Sequence, residues 1–389
     1  MKDPSLKPYK NVVLLHYASI GFLMPLFNLY LSNQLGFTNT QVGLVLSVSP
    51  IVALFSQPFW GMATDYTRKM KEVLLVVLSA SCLLGLLFVF KKSFSMTFLH
   101  YAAFSFFFTS IIPQMDGIIL WKLNQSDGVS YGQIRYLGSI GFALASLAMG
   151  FIVDLTHINA IFLFYGIAAL VAILVLHRMD GQAEVVKGQL GNDLRNLFRV
   201  KEYHLLLLVQ FLLIGTSFGS GNYLGLYLQE RGQTIAIIGF VFFFMAFIEI
   251  PFMVKARAII QSVGAPRVLL LCTVVSTAKL YVFSLDIPVF LLILSTAAQS
   301  VVVGLSFPTV VEYIRAIVAP TVLTTAISIY NAVSYSLANW LFILLAGKLS
   351  DRSGFQGMFK TFSYISLLGI LAAAALLAFT RVRRAPGDA

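Results

Sequence analysis

Charge is scarce in this sequence. Charged residues fill 11% of its 389 positions, where soluble domains carry about 25%, so a water-facing surface in proportion to that length is excluded. Cysteine is scarcer: Cys82 and Cys272 are the only two, both in apolar runs without metal-ligand neighbours, which excludes a disulfide framework and a zinc site. Acids are outnumbered, with 16 Asp and Glu against 27 Lys and Arg. The basic excess forms no soluble patch of the kind that binds nucleic acid; it lies between apolar runs and points to membrane topology. No phosphate loop, nucleotide fingerprint or zinc spacing occurs, so no cofactor, no metal and no ATP-driven step is expected. Gly215-Thr-Ser217-Phe-Gly219 matches the G-x-S-x-G nucleophile elbow in letters alone. It falls inside an apolar helix and lacks the strand-to-helix turn that chemistry needs, so an enzyme is not expected. The N-terminal MKDPSLKPYK leads into an apolar segment without an A-x-A cleavage site, which reads as an uncleaved first helix.

What the sequence has is apolar length. With 58% apolar residues, it divides into twelve runs of membrane-spanning length: 10–32, 41–63, 72–90, 94–122, 130–153, 160–178, 203–229, 234–258, 265–285, 288–314, 320–347 and 357–380. The expected fold is an all-α membrane protein of twelve transmembrane helices in two six-helix bundles, 1–178 and 203–389, joined by a cytoplasmic linker at 179–202. With both termini in the cytoplasm, inner segments hold 19 of the 27 basic residues. The outer side then holds six, and Arg135 and Lys279 lie within the membrane. That bias sets the orientation and places the chain in the cell membrane as a multi-pass protein, expected to be a monomer. Within the linker, Leu194, Leu197 and Phe198 fall at helical spacing after Asn192 and Asp193. This pattern reads either as an amphipathic surface helix or as solvated linker.

A repeat runs through the chain. Gly61-Met-Ala-Thr-Asp65, Gly150-Phe-Ile-Val-Asp154 and Gly347-Lys-Leu-Ser-Asp351 close the second, fifth and eleventh runs. The same G-x-x-x-D thus ends every third run, apart from the eighth, on opposite membrane faces in alternate copies. Three-helix units that alternate in orientation are a transporter architecture.

Charges inside apolar runs are costly and tend to face a partner or a wet cavity. In IPQMDGIILWKLNQSDGVSYGQIRYLG, Asp116 precedes the membrane exit and Arg135 follows re-entry. At 1.5 Å per residue both fall about 6–9 Å inside the same face on antiparallel helices. They are either a substrate-binding acid and base or a structural pair. Glu249 sits mid-run in FMAFIEIPF and Lys279 in TVVSTAKLYVF. A carboxyl held away from water can take up and release a proton during a cycle, so Glu249 is a candidate coupling site, or else the salt-bridge partner of Lys279. Lys279 is a candidate substrate contact as well. Gln299, Asn222 and Tyr335 are further substrate-binding candidates. Asn28, Gln57, Asn331, Tyr335, Asn339 and Trp340 are polar or aromatic residues for a cavity wall or interhelical contacts. Glu312 and Arg315 fit a surface pair at i, i+3. Gly215, Gly219, Gly221 and Gly225 on the seventh run allow close packing or bending.

The stretches GMATDYTRKMK (61–71) and GKLSDRSG (347–354) resemble the loop motif of the major facilitator superfamily. Arg68 stands where that family usually has Gly. YGQIRYLGSIGFA (131–143), Pro113 with Asp116, and GFQG (354–357) resemble its lactose permease and phenylpropionate permease group. The resemblance implies a secondary transporter that moves a small organic solute by alternating access, with proton-coupled uptake first and export or proton antiport second. A membrane sensor that does not transport is the rival from another class. The resemblance also implies substrate contact at Asp116 and Arg135, proton coupling at Glu249 or Asp116, and a gating loop of Gly61, Asp65, Arg68, Gly347 and Asp351. It departs from the lactose permease relay: Gln299 stands at the usual His, Val302 at the acid after it, and Tyr335 at the helix-eleven lysine. The implied partners are a small-molecule substrate, protons and the lipid bilayer.

Overall fold

A computed structural model describes residues 4–90, 93–123, 131–179, 197, 200–319 and 322–384, leaving aside the side chains at 4, 324 and 381–384. Regular structure among the described residues is entirely helical. Eleven stretches are long and apolar enough to cross a membrane, and the last, Thr325–Thr380, is about twice the length of the others. It bends at Gly354, whose φ of 68° and ψ of 173° are not helical, and so holds two helices. The chain is a twelve-helix membrane protein.

In chain order the helices are α1 (Lys7–Leu29), α2 (Asn39–Thr67), α3 (Met70–Leu86), α4 (Phe94–Leu123), α5 (Gly132–Leu155) and α6 (Ala160–His177). Then come α7 (Lys201–Gly221, resuming as Leu224–Glu230), α8 (Ile235–Val263), α9 (Ala265–Phe283) and α10 (Val289–Ser295 and Ala297–Ile317). Finally α11 begins at Leu323–Tyr330 and reaches the bend at Gly354, and α12 covers 355–384. Local chemistry sets several ends. Thr38 Oγ1 accepts from the Gln41 backbone N–H at 3.3 Å, and the Gln41 side chain accepts from Thr38 N–H at 3.1 Å. This reciprocal capping box starts α2. Arg68 ends that helix at φ 58°, in the left-handed region where an L side chain costs roughly 1–2 kcal/mol. The backbone therefore explains why related loops favour glycine there. Asn222 breaks α7, its Nδ2 donating to the Phe218 carbonyl at 2.8 Å. Asn192, Asp193, Leu194 and Phe198 lie outside the described residues; Leu197 is buried in a cluster with Tyr203 and Leu206.

Two compact units emerge from the packing: Met1–Lys187 with Leu224–Phe247, and Gly188–Tyr223 with Ile248–Ala389. The end of α7 and the first half of α8 thus pack with α1–α6. In unit 1, α1 and α5 touch backbone to backbone. A Cβ added to Gly21 would come within 2.4 Å of the Phe142 carbonyl oxygen, and one on Gly141 within 2.3 Å of that of Leu14. Unit 2 repeats the pairing with α7 and α11, where Gly215 and Gly219 leave room for Phe342. The glycine series on α7 is therefore a packing surface as well as a place to bend. On α6, Leu163, Ile167, Leu170 and Leu174 are exposed at helical spacing, a continuous apolar stripe that suits lipid.

Candidate functional site

In unit 1 an acid, a guanidinium and two tyrosines come from α1, α4 and the start of α5. Asp116 on α4 accepts a hydrogen bond from the Tyr131 hydroxyl just before α5, with Arg135 in electrostatic reach. The Arg135 guanidinium lies 4.2 Å from the Tyr17 ring centroid on α1, within cation–π range. Gly138 completes the fit: a Cβ there would stand 2.6 Å from Tyr17 Cδ2 and 2.9 Å from Arg135 Nη1. Asp116 Oδ1 is buried with no hydrogen-bond partner among the described residues. Arg135 is thus in electrostatic reach of the acid, with Tyr131 beside Asp116 and Tyr17 against Arg135. Sequence reasoning passed over His16, one residue before Tyr17, whose signal was a lone histidine in the apolar run VVLLHYASI.

In unit 2, Lys279 on α9 is buried. Its Nζ donates to Gln299 Oε1 on α10 at 2.5 Å and lies 5.9 Å from the Phe283 ring centroid. Ser217 Oγ on α7 donates to the same Gln299 oxygen at 2.7 Å. Among the described residues no carboxylate pairs with Lys279, so the salt bridge to Glu249 left open by the sequence is not made here. Glu249, half-buried on α8, lies in electrostatic reach of Tyr335. Tyr335 sits on a wide helical turn, Asn331–Leu337 of α11, and its ring meets that of Tyr330 edge to face at 5.9 Å. Wide turns of this kind recur at functional sites. Asn339 Nδ2 donates to the Tyr335 carbonyl at 2.7 Å, and Asn222 serves the helix break described above. Glu312 and Arg315 are both exposed.

The three G-x-x-x-D ends differ. Asp65 is exposed with no partner among the described residues, and Gly61 has open space around it. Asp351, after Gly347, is exposed and in electrostatic reach of Tyr223. Asp154 clamps a helix: Oδ1 accepts from Ile235 N–H at 3.1 Å and Oδ2 from Ala236 N–H at 2.9 Å. A carboxylate on the first amides of α8 meets both their free hydrogens and the helix dipole. Beside it Gly150 and Gly239 are in contact, a Cβ on Gly239 falling 2.5 Å from the Ser146 carbonyl oxygen. Asp154→Asn should weaken this clamp by about 1–2 kcal/mol, a shift of roughly five- to thirtyfold in opening. A single cysteine at Ile235, with Cys82 and Cys272 replaced, should then react faster with an impermeant maleimide. Equal rates would mean the carboxylate contributes nothing to the contact.

The fold is a bundle of membrane-spanning helices with charged and polar side chains buried inside it, as a membrane transporter requires. The chain belongs to the MFS_1 like family, which matches residues 6–361, and so to the major facilitator superfamily. A maltose permease of Geobacillus stearothermophilus is 32% identical over 373 residues, covering 96% of this chain and 94% of the permease. The uncharacterized transporter YwbF of Bacillus subtilis (strain 168) is 30% identical over 361 residues, 92% of this chain and 90% of its own. The multi-drug resistance efflux pump PmrA of Streptococcus pneumoniae serotype 4 is 29% identical over 231 residues, 56% of each chain. Among solved structures, the nucleoside transporter NupG superposes with a TM-score of 0.83 at 16% identity, over 96% of this chain and 99% of that one. At that identity the likeness establishes the fold. The chain is a multi-pass membrane transporter with a small-molecule substrate.

Proposed function

We propose that this transporter takes up a small polyhydroxylated solute, of the disaccharide class to which maltose belongs, together with protons by alternating access. The observation that carries the reading is the pair of polar centres, one in each unit. Asp116, Tyr131 and Arg135 supply an acid, a hydroxyl and a guanidinium; Lys279, Gln299 and Ser217 supply an ammonium, a carboxamide and a hydroxyl. With Glu249 the formal charges cancel, which suits a neutral solute whose hydroxyls both donate and accept. The maltose permease relative, similar over most of both chains, supports the same class. Glu249, beside Tyr335, is the proposed coupling acid, with Asp116 next. Asn222 and Tyr335 join the solute contacts, and Gly61, Asp65, Arg68, Gly347 and Asp351 form the gating loops. The chain works as a monomer in the cell membrane, with both termini in the cytoplasm and its halves 1–178 and 203–389 as the moving bodies.

Export or proton antiport is the second reading, favoured by the similarity to PmrA over about half of each chain. Proteoliposomes separate the two. Counterflow of labelled maltose should exceed that of empty liposomes, and adding maltose outside should acidify the lumen. A lumen that turns alkaline instead would establish antiport. Absence of counterflow for maltose and other disaccharides would overturn the solute class.

A further inference from the structure

We infer that His16 is a proton site of this transporter: a switch residue shut off from water in this conformation that takes up a proton when α1 moves. The inference rests on the transporter reading above and adds a second titrating position to it. His16 lies nine residues into α1, about 14 Å from the start of the helix, and is 1% exposed. Neither Nδ1 nor Nε2 has a hydrogen-bond partner among the described residues. Its ring lies edge to face with Tyr17 at 5.7 Å and tilted against Phe108 of α4 at 6.3 Å. Ordinary packing does not account for this. An imidazole always carries at least one donor or acceptor to satisfy, and leaving it unpaired in a buried setting costs free energy that Phe or Leu would avoid.

A group unsatisfied in one conformation weights the equilibrium towards any conformation that satisfies it. For His16 that means one in which the ring meets water. The titratable groups around it come from three elements. Tyr17 stands on its own helix, Arg135 on α5 acts on it electrostatically, and Asp116 on α4 with Tyr131 completes the cluster through Arg135. A proton on the ring would add a second cation beside Arg135, which already acts on it. Protonation therefore favours a conformation in which α1 releases the ring from Tyr17 and Phe108. The proton comes from water at the unprotonated imidazole nitrogen and returns to water, with no bond of the protein broken. Because Arg135 is shared with the proposed solute contact, loading of that site and protonation of His16 act on the same guanidinium.

Full-length protein in nanodiscs tests this without solute. Tryptophan fluorescence, reporting Trp60, Trp121 and Trp340, should show a transition as pH falls from about 7 to about 4. His16→Gln should abolish it and His177→Gln should leave it intact. A transition of unchanged amplitude and midpoint in His16→Gln, or no transition in the wild type, would overturn the inference. If His16→Gln does not fold, ring ¹⁵N spectra of the wild type decide. The His16 signal, assigned by elimination with Gln variants of the other four histidines, should titrate in that range, and a signal that stays neutral throughout overturns the inference. Counterflow then distinguishes the two readings. Its rate in the wild type should change about fivefold or more across that pH range, and in His16→Gln less than about twofold. A protein that titrates at His16 yet moves no disaccharide refutes the proposed function alone. One that moves disaccharide with the pH dependence unaltered in His16→Gln refutes the proton site alone.

Discussion

Proteoliposomes carrying Glu249→Gln should exchange labelled maltose across the membrane yet fail to concentrate it. Accumulation needs a group whose proton affinity differs between the two states of the cycle. Glu249 is placed for that role: a carboxyl within the long apolar helix α8, half-buried, near Tyr335. Lys279 has taken Gln299 as its partner instead, so that ammonium does not fix the charge of Glu249 in this conformation. Glutamine keeps the shape and the hydrogen bonds of the side chain but carries no exchangeable charge. One proton moving down 100 mV supplies about 2.3 kcal/mol, close to a fiftyfold concentration ratio, and the variant should lose all of it. Exchange should stay within about threefold of wild type, because a carrier that shuttles loaded in both directions need not release the proton. Uphill uptake under an imposed pH gradient and counterflow without one, measured on the same preparation, check both halves. If the variant still accumulates maltose, coupling resides elsewhere, with Asp116 next. If both activities vanish in folded protein, Glu249 binds solute or holds α8 in place.

The contrast between Asp116 and Lys279 marks how far the sequence could be read. Asp116 and Arg135 stand on consecutive helices, so their similar depth follows from counting residues. Lys279, Glu249 and Gln299 stand on three helices, and their pairing depends on how each helix is rotated about its axis. Rotation is legible when one face is polar. Helices such as α8 are apolar nearly all round and lack that cue. The twelve spans were legible because runs of about 20 apolar residues have no alternative in a membrane. What escaped were departures within a span: the breaks at Asn222 and Thr296 and the wide turns at Tyr30–Gln34 and Asn331–Leu337. The repeat of G-x-x-x-D was visible as letters, but the partner of each aspartate was not. Asp154 reaches α8, eighty residues away in the chain, and nothing local in VDLTH announces it. His16 was overlooked for the opposite reason: its neighbours in sequence are so apolar that it reads as an interruption.

Replacing Arg135 with lysine should cost the transporter most of its affinity while leaving it folded. The guanidinium is flat, and here that flatness is used. One face lies on the Tyr17 ring at 4.2 Å, Asp116 is in electrostatic reach, and Gly138 leaves room for Nη1 where any larger residue would collide. Stacking on Tyr17 fixes the plane of the fork, so the hydrogens not turned towards Asp116 are oriented before a solute arrives. Pre-orientation of this kind lowers the entropy lost on binding. Lysine keeps the charge, and so keeps the field at Asp116, but offers three donors on a flexible stem and cannot present two parallel bonds to adjacent oxygens. Loss of a charge-assisted pair of hydrogen bonds is worth about 1.5–3 kcal/mol, which is roughly ten- to a hundredfold in affinity. The half-saturation concentration for maltose counterflow should rise by that factor. Thermal stability should change little, since stacking at a part-exposed site contributes only about 0.5–1 kcal/mol. Tyr17→Phe supplies the companion measurement: it keeps the ring under the guanidinium and should bind almost as wild type, whereas Tyr17→Ala should approach the Arg135→Lys defect. Equal affinity in wild type and Arg135→Lys would leave the charge pair as a brace between α4 and α5. The solute would then have to be held by Lys279, Gln299 and the groups around them.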